Sequence, residues 1–194
     1  MSTREFHPYG EFIPSKPRCM IIGSFPIGKF TDPGRRHEIK AHEFDFFFGG
    51  EKNLLWKLVG DCFGQSLKTR QALEEFLEEN GMAIGDVICS CERKKGSASD
   101  ADLFRIEWNQ DLFSVIQKNN IKKIFFTSRQ VEKWFLRLFP HSESLEKTLL
   151  ISPSAQIFRS LSRREDFIIW KKNHPKEKSY NFILLDYQNK IAQD

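Results

Sequence analysis

Residues 19–28 read Cys-Met-Ile-Ile-Gly-Ser-Phe-Pro-Ile-Gly, a short apolar run that passes directly into a turn of glycine and proline. The apolar run predicts a strand, Cys19–Ser24, buried on both faces as the strands of parallel sheets are. In such sheets ligands bind beyond the carboxyl ends of the strands. The turn Gly23–Gly28 is therefore the first candidate site, where Gly23 lets a ligand approach the backbone closely.

Beyond this stretch, strand-like and helix-like patterns alternate along the chain. Further apolar runs typical of strands stand at 82–88, 121–127 and 148–152, and helical spacing of apolar residues fills 54–63, 69–80, 112–120, 131–138 and 166–172. Thr69 is a favourable N-cap for one of these helices, and Gly81 is suited to end it. The apolar run 181–187 fits a helix or a strand equally well. The alternation predicts an α/β fold, a three-layer α/β/α sandwich with a central parallel four-stranded sheet.

Composition is typical of a soluble globular protein. The 194 residues suit one domain, 1–194, and the 40% hydrophobic and 29% charged fractions exclude a wholly disordered chain. No apolar run approaches the roughly 20 residues of a membrane helix, and the polar stretch Met1–Glu11 is no secretory signal. With 30 Lys and Arg against 26 Asp and Glu, the net charge of +4 permits a polyanionic partner. We therefore expect a cytoplasmic monomer that does not bind membranes.

The four cysteines argue against a metal cluster. Cys19, Cys62, Cys89 and Cys91 contain no CxxC pair, the spacing that zinc and iron–sulfur sites commonly use. They are also too few for a disulfide scaffold of this size, which favours a reducing compartment. We expect no cofactor.

Phenylalanine is the unusual residue, at 19 of 194, and several stand in a predicted loop. Phe44, Phe46, Phe47 and Phe48 precede Gly49-Gly50, and a helix with Asn53 near its start follows. An aromatic ring beside glycines can stack on a nucleobase, which is worth ~1–3 kcal/mol per base. Alternatively, these rings cover the core and Asn53 caps the helix. The charged segment 27–44 before them is expected to be mobile, since few of its residues are apolar.

Other candidate groups follow the later strands, in segments 86–99, 127–129 and 152–156. The turn Ser152-Pro153-Ser154 offers hydroxyls and backbone N–H groups to a phosphate. Arg93, Lys94 and Lys95 could add positive charge there, although such clusters are commonly just solvated turns.

The order of these motifs is more specific than any one of them. GSFP at 23–26, FFFGGEKNLLW at 46–56, GMAIGDVICSCERKKGS at 81–97 and SPSA at 152–155 together resemble the uracil-DNA glycosylase superfamily. Within it, the chain looks most like the hypoxanthine-DNA glycosylase and mismatch-specific uracil-DNA glycosylase branches, over about residues 18–160. Two departures stand out. Gly50-Glu51 replaces the usual His-Pro, and 23–28 lacks the water-activating Asp of the main branch.

The resemblance implies a monofunctional DNA glycosylase of base-excision repair that hydrolyses the N-glycosidic bond of a deaminated base, uracil or hypoxanthine. Its target nucleotide would be flipped out of the duplex. By the same resemblance, Asn53 is catalytic, holding the base or the attacking water, and Phe48 stacks under the base. The resemblance also implies that Gly23, Ser24 and Phe25 bind the base. It implies that DNA is bound by Pro26, Ser152, Pro153, Ser154 and Arg93. Two alternatives stay open: a catalytically inactive module that binds DNA or a damaged base, and an unrelated nucleotide-handling enzyme.

Overall fold

The structure is a computed structural model and describes residues 3–94 and 96–191. Its strands are β1 Arg4–Phe6, β2 Cys19–Gly23, β3 Met82–Asp86, β4 Ile88–Arg93, β5 Leu103–Trp108, β6 Lys123–Phe126 and β7 Glu146–Leu149. Its α-helices are α1 Gly28–Thr31, α2 Leu55–Phe63, α3 Arg70–Glu79, α4 Leu112–Lys118, α5 Arg129–Leu138, α6 Phe158–Leu161, α7 Glu165–Asn173 and α8 Ser179–Ile191. Short 3-10 helices span 33–38, 100–102 and 155–157.

The central sheet is four-stranded and parallel, in the order β3-β2-β6-β7. Strand β2 lies inside it, with Ile21 opposite Ile84 on one side and Phe125 on the other. All five residues of β2 are buried. This confirms the predicted sheet and the two-sided burial of the 19–23 run.

Helices cover both faces of this sheet. Because successive side chains of a strand point to opposite faces, β2 contributes to two separate cores. Cys19 and Ile21 pack with residues of α2, α3, α7 and α8, whereas Met20 and Ile22 pack with residues of α4 and α5. The three-layer α/β/α architecture is thus as predicted.

Local signals for helix ends hold in the structure. The Thr69 hydroxyl accepts a hydrogen bond from the Ala72 N–H at 3.1 Å and so caps α3. Gly81 follows α3 with φ +61°, a conformation that favours glycine. The run 181–187, which the pattern left open, lies within α8. None of the helices in the described part of the chain has the length and apolar character needed to cross a membrane.

A second sheet was not predicted. Strands β1, β4 and β5 form an antiparallel sheet in the order β1-β4-β5. The predicted strand at 82–88 is wrong at its end, and the candidate segment 86–99 that was expected to follow it contains a further strand. Strand β3 stops at Asp86, opposite the last residue of β2, and β4 begins at Ile88. The apolar pattern hides this break because Val87 and Ile88 are buried in one continuous core.

The last strand of the central sheet lies earlier than the predicted 148–152. Strand β7 pairs with β6 from Lys123 opposite Glu146 to Phe126 opposite Leu149. It is an edge strand, and its polar residues do not stand out as a strand pattern. The apolar Leu150 and Ile151 follow it and are buried, and the Leu150 N–H still donates to the Phe126 carbonyl of β6 at 2.9 Å.

The segment 27–44 is held by more contacts than expected. Helix α1 and the 3-10 helix 33–38 occupy much of it. Lys29 pairs with the buried Glu43, and the Thr31 hydroxyl donates to Glu5. The expectation that little buries this segment is therefore wrong around α1, because Glu43 from the end of the segment and Glu5 from β1 both contact it.

Candidate functional site

A cleft of about 580 Å³ lies beyond the carboxyl ends of the central strands. Its walls come from the segments that follow β2, β6 and β7, from the aromatic turn before α2, and from the loop after β4: residues 24–30, 48–53, 96–100, 127–128 and 152–156, with Asp86. This volume is within the usual range for small-molecule sites. The strand-end rule therefore located the cleft correctly.

Two turns that lie a hundred residues apart in the sequence are joined at this cleft. The Leu54 N–H donates to the Pro153 carbonyl at 2.7 Å, and the Ala155 N–H donates to the Lys52 carbonyl at 3.0 Å. Asn53 and Ser154 thereby face each other as an isolated antiparallel bridge. These backbone bonds fix the serine turn beside the Asn53 amide.

Asn53 has one half of its amide engaged and the other half available. Its Oδ1 accepts the Leu55 N–H at 2.9 Å, so the side chain caps the start of α2. Its Nδ2 makes no hydrogen bond to any of residues 3–94 and 96–191. The capping interpretation is correct for the oxygen, and it leaves an N–H donor at the wall of the cleft.

The phenylalanines of the aromatic turn divide between core and cleft. Phe46 and Phe47 are buried in the core, and the Trp56 Nε1–H donates to the Phe47 carbonyl at 2.7 Å. Phe48 is half-buried and lines the cleft. Its backbone has φ +54°, and its ring lies over Gly23, where an added Cβ would be 2.5 Å from Cζ.

The turn after β2 offers backbone donors. Ser24, Phe25 and Pro26 all line the cleft, and Gly23 lies just beneath the Phe48 ring. The N–H groups of Ser24 and Phe25 form no hydrogen bond with the residues that the structure describes. Across the cleft lies the serine turn, in which Ser152 and Ser154 are half-buried and the Ser152 hydroxyl accepts from the Ser154 N–H at 3.4 Å.

Arg93 does not lie where the DNA-binding prediction placed it. Its side chain is 3% exposed, its Nε lies 3.2 Å from Glu5 Oε2, and its Nη2 donates to the Pro26 carbonyl at 2.7 Å. The guanidinium faces the interior because β1 and β4 are paired, which brings Glu5 alongside. We correct the prediction accordingly: Arg93 supports the turn at Pro26. Lys94 is exposed and paired with Asp102, and Lys95 lies outside the described residues.

Replacing Arg93 with Met is expected to lower the free energy of unfolding by about 3 kcal/mol, because Glu5 is left buried without its cation. Lys94→Met removes an exposed cation of the same segment and is expected to change the free energy of unfolding by less than ~0.5 kcal/mol. Urea unfolding of both variants measures the difference. Unchanged stability combined with weakened DNA binding in Arg93→Met would restore the DNA-contact assignment.

The sequence analysis did not single out two of the carboxylates that line the cleft, Asp86 and Asp100, or His7, which contacts Asp86. Asp86, at the end of β3, is buried, and its Oδ2 lies 2.9 Å from His7 Nε2. Asp100 Oδ1 accepts the Ser24 hydroxyl at 3.0 Å. Burial, reinforced by the charge of Asp86, raises the pKa of the Asp100 carboxyl above its ordinary value. Asp86 could have been identified from its position at a strand end, whereas no feature of the sequence pointed to His7.

The described ranges, 3–94 and 96–191, contain no group of three or more His, Cys, Asp or Glu side chains arranged to hold a metal ion. The cleft lining offers an aromatic face, amide and hydroxyl donors, and carboxylates that include Asp86, Asp100 and Glu51.

The fold is similar to a solved structure. The solution NMR structure of a "putative Uracil DNA glycosylase" from Methanosarcina acetivorans aligns with a TM-score of 0.58 and 20% sequence identity, over 88% of this chain and 96% of that one. At this identity the likeness shows the fold, which is uracil-DNA glycosylase-like. No protein-family model and no curated protein matches the chain.

Proposed function

We propose that the chain is a monofunctional DNA glycosylase that hydrolyses the N-glycosidic bond of a deaminated base, uracil or hypoxanthine, in DNA. The observation that carries this proposal is the composition of one cleft. An aromatic ring at Phe48, unengaged N–H groups at Ser24 and Phe25, and the free Asn53 amide nitrogen meet there, beside the serine turn. The fold likeness to a protein described as a uracil DNA glycosylase supports it.

The cleft suits a base that has left the duplex. Extrusion costs a few kcal/mol, least at a mismatched or damaged base, and stacking on Phe48 offsets part of that cost. Backbone N–H groups of Ser24 and Phe25 can donate to the carbonyl oxygens of the base. The departing base carries negative charge, so donors that are already in place lower the barrier, as in an oxyanion hole. Asn53 Nδ2 is the side-chain donor for this role or for orienting the attacking water.

The serine turn is suited to hold the DNA strand. The hydroxyls of Ser152 and Ser154 stand at the cleft wall with the buried Pro153 between them. Hydroxyls and backbone N–H groups are common phosphate ligands, and such contacts position the strand without reading its sequence. Pro26, on the opposite wall, is buried and its carbonyl is engaged by Arg93, so it would contribute shape rather than hydrogen bonds.

A catalytically inactive DNA-binding module is the second candidate, and one observation favours it. Where the resembling branches have His-Pro, this chain has Gly50-Glu51. The Glu51 carboxylate lies at the cleft wall, 2.6 Å from Lys40 Nζ and 3.0 Å from His42 Nε2. Glycine thus stands where the imidazole would be, and an acidic group follows it close to the position proposed for catalysis.

A panel of labelled oligonucleotides tests the proposal. Single strands and duplexes containing uracil, hypoxanthine, xanthine or no modification are incubated with the protein, then treated with alkali to break abasic sites. Strand breaks at uracil or hypoxanthine are expected, and an Asn53→Asp preparation made in parallel excludes a contaminating glycosylase. DNA that is retarded in a gel but never cut would indicate the binding module. Neither cutting nor retardation, with thermal stabilisation by free nucleotides, would point to a nucleotide-handling enzyme.

A further inference from the structure

The proposed hydrolysis needs a group that removes a proton from the attacking water. Asn53 can orient this water but is not basic, because its amide nitrogen only donates. A general base needs a pKa not far below the working pH and a free oxygen that the water can reach. Within the described residues, five carboxylates line the cleft: Glu38, Glu43, Glu51, Asp86 and Asp100.

Three of these carboxylates are already engaged by positive charge. Glu38 accepts from Arg35 at 2.8 Å, and Glu51 accepts from Lys40 at 2.6 Å. These hydrogen bonds lower the pKa of both carboxyl groups. Burial acts to raise the pKa of Glu43, but hydrogen bonds from a lysine ammonium and two backbone N–H groups lower it overall. All three are therefore weak bases.

The fourth carboxylate, Asp86, is closed off from water. Its Oδ2 lies 2.9 Å from His7 Nε2, and its Oδ1 is buried. A Cβ added to Gly23 would collide with Oδ1 and lie 2.5 Å from Cζ of Phe48. Oδ1 thus lies against Gly23 beneath the edge of the Phe48 ring, where a water attacking the sugar has no access.

Asp100 differs from the other four because one of its oxygens is both free and accessible. It begins the 3-10 helix 100–102, after the loop 96–99 at the cleft wall. Its Oδ1 accepts the Ser24 hydroxyl, a neutral donor, at 3.0 Å. Its Oδ2 forms no hydrogen bond with residues 3–94 and 96–191 and, unlike Oδ1 of Asp86, is not enclosed. The Ser24 contact holds this carboxylate beside the backbone N–H groups proposed to bind the base.

The surroundings of Asp100 also keep its carboxylate basic. Burial has the largest effect and raises its pKa, and the negative charge of Asp86 raises it further. The Ser24 hydrogen bond and the Arg93 guanidinium oppose this shift without cancelling it. Arg93 is paired with Glu5, so its charge is not committed to Asp100. A carboxyl group with a raised pKa, at the wall of a cleft, is suited to accept a proton near neutral pH.

We propose that Asp100 is the general base of the reaction, and that its Oδ2 takes a proton from the water that attacks C1′ of the sugar. This rests on the proposed function. The water oxygen bonds to C1′ as the bond from C1′ to the base nitrogen breaks, and the electron pair of that bond leaves with the base. The N–H groups of Ser24 and Phe25 hold the resulting anion, which takes up a proton from solvent. Asp100 then releases its proton to solvent, which restores the carboxylate.

Single-turnover excision rates measured against pH test this role. In the wild-type protein the rate is expected to fall as the pH drops through the pKa of Asp100, because only its ionised form accepts a proton. Asp100→Asn keeps an oxygen for the Ser24 hydroxyl and is expected to lower the rate about 100-fold or more and to abolish this acid limb. Its affinity for DNA with uracil on a 2′-fluoro sugar, which resists cleavage, is expected to stay within about threefold of the wild-type value.

Two further measurements separate a chemical role of Asp100 from a structural one. Asp102→Asn is the matched control, since this carboxylate of the same 3-10 helix pairs with Lys94 at 2.9 Å and lies outside the cleft lining. It is expected to keep the wild-type rate and acid limb. Formate added to Asp100→Ala supplies a small carboxylate in the vacated space and is expected to raise the rate at least about tenfold.

Ser24→Ala tests the proposal even if the Asp100 variants do not fold. It removes a hydrogen bond that lowers the pKa of Asp100, so the acid limb is expected to move to higher pH. An unmoved acid limb in Ser24→Ala, or a wild-type rate and acid limb in folded Asp100→Asn, overturns the inference alone. A wild-type protein that excises no base from the oligonucleotide panel overturns the proposed function, and the inference falls with it.

Discussion

Replacing Asn53 with alanine is expected to lower the single-turnover excision rate about 100- to 1,000-fold, the usual cost of removing one preorganised donor from a transition state. Affinity for the uncleaved DNA is expected to change far less, because the donor acts as charge develops on the base. The free Nδ2 at the cleft wall is the physical basis of this expectation. Rates on the best substrate of the oligonucleotide panel measure it.

Asn53→Asp separates the catalytic role from the capping role. Alanine also removes the cap on Leu55, which costs about 1 kcal/mol of stability. Aspartate keeps an oxygen for the Leu55 N–H, loses the Nδ2 donor and adds a negative charge. We expect Asn53→Asp to be as stable as the wild-type protein and as slow as Asn53→Ala. If aspartate restored the rate, Asn53 would act through the position of α2 and the catalytic assignment would fall.

Gly23→Ala is expected to abolish specific base binding and to reduce excision at least about 100-fold, since small displacements at a reacting site have effects of this size. The new methyl group would collide with Asp86 Oδ1 and lie 2.5 Å from Cζ and 3.2 Å from Cε2 of Phe48. One of these two groups must move, and both lie in the proposed base pocket. The strain is also expected to lower the free energy of unfolding by about 1–3 kcal/mol.

Gly10→Ala is the matched control for this substitution. No heavy atom lies within 4 Å of a Cβ built on Gly10, and its backbone is not in the left-handed region. We expect its stability to stay within ~0.5 kcal/mol of the wild-type value and its excision to be unchanged. Thermal melting and the same rate assay compare the two glycine variants. Wild-type melting and excision in Gly23→Ala would show that the pocket does not extend over Gly23.

Features that depend on near neighbours in the chain were predictable. The apolar run 19–23 became the inner strand β2. The Thr69 hydroxyl caps the start of α3, and Gly81 follows its end with the positive φ that glycine allows. The alternation of strand and helix patterns also predicted that the segments after the strands lie at one cleft, because the carboxyl ends of parallel strands must share an edge. Asn53 and the turn 152–154 accordingly lie together. Their chemical roles remain predictions.

Features that depend on distant partners were not predictable. Arg93 reads as one member of a basic turn, and it is buried because β1 delivers Glu5 from 88 residues earlier. The pairing of His7 with Asp86 likewise joins residues 79 apart. The antiparallel sheet was hidden because β3 and β4 are consecutive, with only Val87 between them, and the polar Asp86, Ser90, Glu92 and Arg93 are buried together with their apolar neighbours.

By itself, the sequence therefore determined the fold class, the parallel sheet and the edge at which the cleft opens, because local periodicity specifies which faces of strands and helices must be buried. Only the tertiary structure decided which cations and carboxylates reach the cleft. The Arg93 guanidinium pairs with Glu5 inside the protein, while the carboxylate of Asp86 lies at the cleft floor with one oxygen unpaired. Burial and partner choice for charged groups follow from contacts between segments far apart in the chain, and a linear pattern does not contain those contacts.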